Sequence, residues 1–265
     1  MLLIDGDQLV YQIASASEYE YTITGNEWKD AWLHESTTAL MSDGAQVFDS
    51  VLSKIEELSD SYDRAILCFS SYPNFRHDVL KEYKGGRDKT RKPLCYWGVI
   101  EQLTKELTAN QRYSIKQVDG LEADDVMSIL ATMPTFLSKF EVTIWSQDKD
   151  MLQVPDITII KPDGTTVRNT LEQANHFRWT QCLSGDRTDG YYGLPGVGPK
   201  TAEKILDGTE GSDESIYHDV VVQEYLDRGF SLDYAYSQID CACILRADEY
   251  DYQAHRPILI KERVQ

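Results

Sequence analysis

Met1-Leu2-Leu3-Ile4-Asp5-Gly6-Asp7 opens the chain with an apolar run that stops on two carboxylates flanking a glycine. A run this short, apolar at successive positions, predicts a strand buried on both faces and ending at the acids. Ala65-Ile66-Leu67-Cys68-Phe69 repeats the pattern. So do residues 142–145, with Ser146-Gln147-Asp148-Lys149-Asp150 just beyond, and residues 157–160. Residues 114–118 read as a further strand. Helical spacings lie between these runs: Leu9, Ile13 and Ala16; then Val47, Val51, Leu52, Ile55 and Leu58; then residues 97–109 and 122–133. Strands alternating with helices predict an α/β chain with a mostly parallel central sheet flanked by helices. Asp163-Gly164 predicts a hairpin after the fifth strand. From Leu171 onward the pattern is helical, with helices expected near 214–227 and 232–247. The expected organisation is an α/β core over 1–170 and a helical region over 171–265. Residues 19–43 show no clear period and read as a local elaboration.

The chain has 265 residues and a formal net charge of −18. It has no run of eighteen apolar residues, so no membrane span is expected. The N-terminus lacks the basic flank of a signal peptide, which points to the cytoplasm. Cys68, Cys95, Cys182, Cys241 and Cys243 form no C-x-x-C pair, and the histidines are scattered; reduced thiols packed in or near the core are expected. So acidic a chain should bind bulk duplex weakly, yet its charge is uneven. Residues 76–92 hold Arg76, Lys81, Lys84, Arg87, Lys89, Arg91 and Lys92 against the acids Asp78, Glu82 and Asp88. That segment reads either as a solvated loop or as a local contact for phosphates.

In open parallel sheets the ligand site lies beyond the carboxyl ends of the strands. Asp5, Asp148 and Asp150 follow strands directly, and Glu122, Asp124 and Asp125 open the helix after another. Asp186 and Asp189, three apart, complete the set. Each acid has a plain alternative as a helix-end or turn residue. Clustered together, however, they would raise one another's pKa unless cations neutralised them. Oxygen ligands suit two Mg²⁺ ions, with Mn²⁺ as a substitute, and such a pair can drive phosphodiester hydrolysis. Close by, Gly193-Leu194-Pro195-Gly196-Val197-Gly198-Pro199-Lys200-Thr201 is a glycine-rich turn feeding a helix. Pro199 fits its first turn, and that helix would point its positive end and Lys200 at an anion such as a phosphate.

With these motifs in place the chain resembles the 5′-nuclease or flap endonuclease family, most closely the 5′→3′ exonucleases of T-odd bacteriophages. The resemblance rests on Ile4-Asp5-Gly6-Asp7, Asn74-Phe75-Arg76, Tyr83-Lys84-Gly85-Gly86-Arg87, Leu121-Glu122-Ala123-Asp124-Asp125-Val126-Met127, Ser146-Gln147-Asp148-Lys149-Asp150-Met151 and Gly185-Asp186-Arg187-Thr188-Asp189-Gly190. It implies a PIN-like nuclease core, a helical arch or mobile basic loop at about 76–96, and a helix–three-turn–helix at about 175–206. By the same likeness Asp5, Glu122, Asp124 and Asp148 would hold the catalytic metal. Asp150, Asp186 and Asp189 would serve the second, with Asp125 close by. Lys84 and Arg87 would contact the scissile phosphate, supported by Arg76. Tyr83, Gly193, Gly196, Gly198, Lys200 and Thr201 would meet DNA, with K⁺ at the turn. The implied partners are DNA with 5′ ends, nicks, gaps or flaps, and RNA–DNA hybrid, handled by a monomer. One departure stands out. Relatives usually carry an aspartate just after the second strand, where this chain reads Phe69-Ser70-Ser71-Tyr72.

Two other functions compete. A non-catalytic, structure-specific DNA-binding protein would fit the missing acid. A haloacid-dehalogenase-like phosphatase would fit Asp5-Gly6-Asp7 after a strand, but leaves the glycine turn unexplained. Cleavage assays with Mg²⁺ or Mn²⁺ separate the first alternative, and a small phosphomonoester the second.

Overall fold

The computed structural model describes residues 1–23, 37–86, 92–108, 110–209 and 213–264. The first run forms β1 (Leu2–Asp5) and leads directly into α1 (Gly6–Ala16). A hairpin follows, β2 (Tyr19–Ile23) with β3 (Thr37–Met41), paired antiparallel; it occupies the stretch that showed no period. Then come α2 (Gly44–Leu58), β4 (Ala65–Phe69), α3 (Arg76–Val79), α4 (Tyr96–Leu107), β5 (Tyr113–Gln117), α5 (Ala123–Thr132), α6 (Pro134–Leu137) and β6 (Thr143–Trp145). A 3₁₀ turn over Lys149–Gln153 precedes β7 (Thr158–Ile160) and β8 (Thr166–Val167). The rest is mainly helical: α7 (Leu171–Ser184), α8 (Pro199–Leu206), α9 (Glu214–Asp227), α10 (Leu232–Ala242), the short pair β9 (Tyr250–Asp251) and β10 (Arg256–Pro257), and α11 (Ile260–Arg263).

The main sheet runs β5-β4-β1-β6-β7-β8, parallel except where β8 folds back on β7. Leu2, Leu3 and Ile4 are at most 1% exposed because layers cover both faces. On one face Leu2 and Ile4 join Leu9, Val51, Ile55 and Leu103 from α1, α2 and α4. On the other, Leu3 joins Val126 and Met127 of α5. Burying one such side chain is worth about 1.5–3 kcal/mol, so the alternation along four residues of β1 fixes the sheet's register. The chain goes one way from β1 to β4 and β5 and the other way to β6 and β7. That reversal opens a crevice at the carboxyl ends of β1, β4 and β6.

A second core gathers α7 to α10, with Trp179, Leu194, Val221, Tyr225 and Ile239 inside it. Residues past α10 return to the sheet: Ile244, Leu245 and Tyr250 pack with Leu3 and Val126. The helix expected over 232–247 therefore stops at Ala242. Beyond it the backbone is claimed by distant side chains. Gln153 Oε1 accepts from Ile244 N at 2.9 Å, and Asp125 Oδ1 accepts from Leu245 N at 3.0 Å. In the basic segment, α3 covers four residues and turns follow to Gly86, with no continuous helix among the described residues there. Arg87 and the following residues to Arg91 lie outside the described residues.

Candidate active site at the carboxyl edge of the sheet

Asp5 ends β1 and caps α1, its Oδ1 accepting from Gln8 N at 3.0 Å. Its other oxygen takes a hydrogen bond from Ser146 Oγ at 3.0 Å, and Ser146 Oγ in turn accepts from Asp148 N at 3.1 Å. One buried hydroxyl thus ties the end of β1 to the loop after β6. Asp148 caps the 3₁₀ turn by accepting from Asp150 N at 2.8 Å. Glu122, Asp124, Asp148, Asp150 and Asp189 line a common narrow cavity with Lys84. Burial, then the charges of Asp7 and Asp148, push Asp5 up to about 7. Burial, then Asp148, Asp5 and Glu122, hold Asp124 well above the usual carboxylate range. Asp150 rises to about 6 from burial and Asp148. Anionic oxygens are concentrated here beyond what the protein neutralises, and such a donor set fits hard divalent cations. As the side chains lie, no three acidic, cysteine or histidine residues among those described stand ready to share one ion. Protein donors hold them instead. Lys149 bonds Asp186 at 2.8 Å, and Gln181 Nε2 donates to Asp150 at 2.5 Å. Asp186 sits outside the narrow cavity and is held below its ordinary pKa: burial opposes this, but the Lys149 hydrogen bond and Thr188 N–H outweigh it.

Lys84 enters this cavity with φ +53°. Its ammonium pairs with Glu122 and stands 3.9 Å from Asp189. Burial would raise the Glu122 carboxyl, but the charges of Lys84 and Arg76 hold it down to about 2. Two expected roles change here. Tyr83, expected at the DNA, is 3% exposed and donates its hydroxyl to Glu122 at 2.8 Å. Asp125, expected near the metals, is fully buried and clamps Arg76 with two bonds of 2.7 and 2.8 Å. It faces away from the cavity because a helix advances 100° per residue, so Asp124 and Asp125 cannot share a direction. Arg76 is likewise removed from substrate at 2% exposure. It also donates to the carbonyls of Cys241 at 3.2 Å and Cys243 at 2.8 Å. Asp125 and Arg76 hold each other, Glu122 and the segment past α10 in place.

The glycine-rich loop divides in two. Gly196 and Gly198 are exposed, with open space where a Cβ would stand, so a ligand backbone can approach. Lys200 and Thr201 are exposed beside them on α8. Gly193, expected at the DNA, is buried instead: its N–H donates to Gln238 at 2.9 Å, and a Cβ there would lie 2.4 Å from Gly185 N. It closes the loop on itself. Gly190 serves the basic segment. At φ +76° a Cβ would meet Glu82 O at 2.3 Å, while Lys84 N donates to Asp189 O at 2.6 Å. The turn carrying Lys84 is seated directly on Asp189 and Gly190.

Sequence reasoning passed over several participants. Asp7 receives Tyr96 OH at 2.7 Å and Ser70 N at 2.8 Å. With Asp5, Asp124, Asp148 and Lys84 it lines a wider cleft of about 880 Å³, where Tyr72 and Trp97 are 81% and 64% exposed. Ser70, at the place of the absent acid, accepts from Ala123 N at 2.9 Å and so caps α5. The repeat of acid–x–acid at Asp5-Gly6-Asp7 was the available signal for Asp7. Ser146 and Gln181 gave none, since single polar residues acquire meaning only from what they face.

Residues 1–178 match the model of the 5′-3′ exonuclease N-terminal resolvase-like domain. Over 208 residues the chain is 29% identical to an exodeoxyribonuclease of Enterobacteria phage T3 and 28% to an exonuclease of Escherichia phage T7. Each match covers 78% of this chain and 66% of the phage protein, so just under two thirds of those relatives' length is matched. A phage T5 protein co-crystallised with metal ions shares the fold at TM-score 0.63 and 16% identity, over 90% of this chain and 87% of that one. A phage T5 flap endonuclease in a pseudo-enzyme–product complex with DNA and metal ions superposes at TM-score 0.58 and 18% identity, covering 90% and 86%.

Proposed function

The chain belongs to the family of the 5′-3′ exonuclease N-terminal resolvase-like domain, and on that premise we propose that it is a divalent-metal-dependent 5′→3′ exonuclease and flap endonuclease. Its substrates are phosphodiesters near the 5′ ends of duplex, nicked, gapped or flapped DNA, with primer RNA in hybrid as a further target. The observation that carries this reading is the meeting of Asp5, Asp124, Asp148 and Asp150 with Lys84 at the crevice where the sheet reverses direction. Asp5, Glu122, Asp124 and Asp148 would hold one ion, and Asp150, Asp186 and Asp189 a second. Bound there, Mg²⁺ would supply an activated water and shield the phosphate charge.

The chain's own residues do the rest. Lys84 leaves Glu122 for a phosphate oxygen and stabilises the charge that builds during attack. Glu122, still steadied by Tyr83 and Arg76, would then be free to serve as a ligand to a bound cation. The exposed edge at Gly196 and Gly198, with the amino end of α8 and Lys200, takes the duplex backbone without reading bases. K⁺ at that turn, action as a monomer and a cytoplasmic setting complete the reading. No helix among the described residues is long and apolar enough to cross a membrane.

The test is cleavage of a 5′-labelled flap duplex in Mg²⁺, with product lengths resolved. Short 5′ products that vanish in EDTA and in folded Asp148→Asn protein are expected. Binding of the flap without cleavage in either Mg²⁺ or Mn²⁺ would favour the non-catalytic DNA-binding alternative that the absent acid at Ser70 and Ser71 suggests.

A further inference from the structure

Cys182 on α7 and Cys243 just past α10 place their sulfur atoms 3.6 Å apart, and both residues are fully buried. Arg178 lies one helical turn before Cys182. Its Nη2 bonds Glu249 at 2.6 Å, but Nε and Nη1 make no hydrogen bond although the side chain is 1% exposed. Glu249 and, 3.8 Å from Nη1, Glu214 already balance its charge, and the sulfur pair is a further neighbour on which its field acts. Burial would raise the Cys243 thiol, but the S–H of Cys182 and the charges of Arg178 and Arg263 push it down. Cys182 moves up, from burial and from sharing its proton with Cys243. The two sulfurs share one proton, and the cationic neighbours favour a thiolate within the pair.

We propose that Cys182 and Cys243 are a disulfide-forming site, closed reversibly by peroxide, and that closure slows the enzyme through Arg76. The Cys243 thiolate attacks one peroxide oxygen. The O–O bond breaks, leaving a sulfenic acid and hydroxide, which takes a proton to become water. Cys182 then attacks the sulfenic sulfur, its proton leaves with the hydroxyl group, and a second water departs. Two thiols and one peroxide thus give one disulfide and two waters. The sulfurs must close from 3.6 Å to about 2.0 Å. That draws Cys243 toward α7. The Cys243 carbonyl accepts from Arg76 Nη2 at 2.8 Å, and Arg76 braces Glu122 at 3.4 Å. The pull therefore reaches the metal-facing carboxylate. The disulfide is independent of the nuclease reading; the slowing rests on it.

The test treats the full reduced chain with hydrogen peroxide, alkylates remaining thiols after unfolding, and maps non-reduced peptides. A Cys182–Cys243 cross-linked peptide is expected. Single-turnover flap cleavage should fall by roughly tenfold, the scale of displacing a residue that supports a metal ligand, and dithiothreitol should restore it. Cys182→Ser should keep its basal rate and ignore peroxide. Alkylation of both cysteines in protein whose half-buried Cys95 has been oxidised would overturn the site. Cross-linking with unchanged cleavage would overturn the link through Arg76. If the reduced protein cuts nothing, the nuclease reading fails and the peptide map still decides the disulfide.

Discussion

Lys84 and Glu122 each occupy the partner that substrate and metal would replace. The ammonium sits against a carboxylate held at about 2, so the resting pair neutralises itself. Lys84→Ala should lower the single-turnover cleavage rate by about tenfold to a thousandfold, as for loss of one electrostatic donor. DNA affinity, titrated in Ca²⁺, should fall less. A normal rate in the bound variant would return the segment to a solvated loop. Asp125 tests a different role. Asp125→Ala strands the Arg76 charge in the interior, and a cost of about 3–5 kcal/mol is expected from breaking a buried pair. Thermal unfolding should register that loss. Asp125→Leu with Arg76→Leu should recover much of it, since no buried charge is left unpaired. A lowered Mg²⁺ affinity in Asp125→Ala with undiminished thermal stability would instead make Asp125 a metal ligand.

At the scale of elements, the glycines of one loop do opposite work. Gly190→Ala places a Cβ 2.3 Å from Glu82 O at φ +76°. It should lift the Lys84 turn from its seat and slow cleavage while duplex affinity holds. Gly198→Asp adds a charge to an open edge and should weaken duplex affinity while bound-state cleavage holds. Single-turnover kinetics beside a binding titration separates the two, and the same phenotype in both variants would refute the division. Sequence pattern located β1, β4, β5, β6 and β7 with α1, α2, α4 and α5, though not the single-turn α3 and α6, because buried runs and helical spacing are local properties. It could not locate the end of α10, because Gln153 and Asp125, far away in the chain, take the amide hydrogens of Ile244 and Leu245. Of the acids it grouped, Asp5, Glu122, Asp124, Asp148, Asp150 and Asp189 line the cavities at one sheet edge, since strand ends converge by topology. It could not sort Asp125 from Asp124, which differ only in where the helix points them, nor Gly193 from Gly196, which differ only in what stands opposite.

For the molecule as a whole, the acids make folding depend on pH in two directions. Glu122 falls from an ordinary 4.5 to about 2, so its contribution is present above 4.5 and lost as pH drops through 2. Asp5 and Asp150 are raised from 3.8 to about 7 and about 6, so the folded state holds their protons longer. Their contribution is lost as pH climbs from 3.8 through those values. Metal-free protein should therefore resist urea best near pH 5 and weaken toward pH 8. Saturating Mg²⁺ should flatten or reverse that upper limb, because it binds the ionised carboxylates. A urea midpoint in EDTA that rises steadily from pH 5 to pH 8 would contradict the burial assigned to Asp5 and Asp150.

The segment from Cys241 to Arg246, which grips Arg76 and Asp125, has a consequence in time. Ribosomes deliver a chain from its amino end. The strands bearing Asp5 and Asp148, the helix bearing Glu122 and the basic turn bearing Lys84 all emerge before this brace. Until residues 241–246 clear the exit tunnel, Arg76 has neither backbone carbonyl to bind and Glu122 lacks its steadied neighbour. A nascent chain thus carries the acids before the carbonyls that hold Arg76 against Glu122.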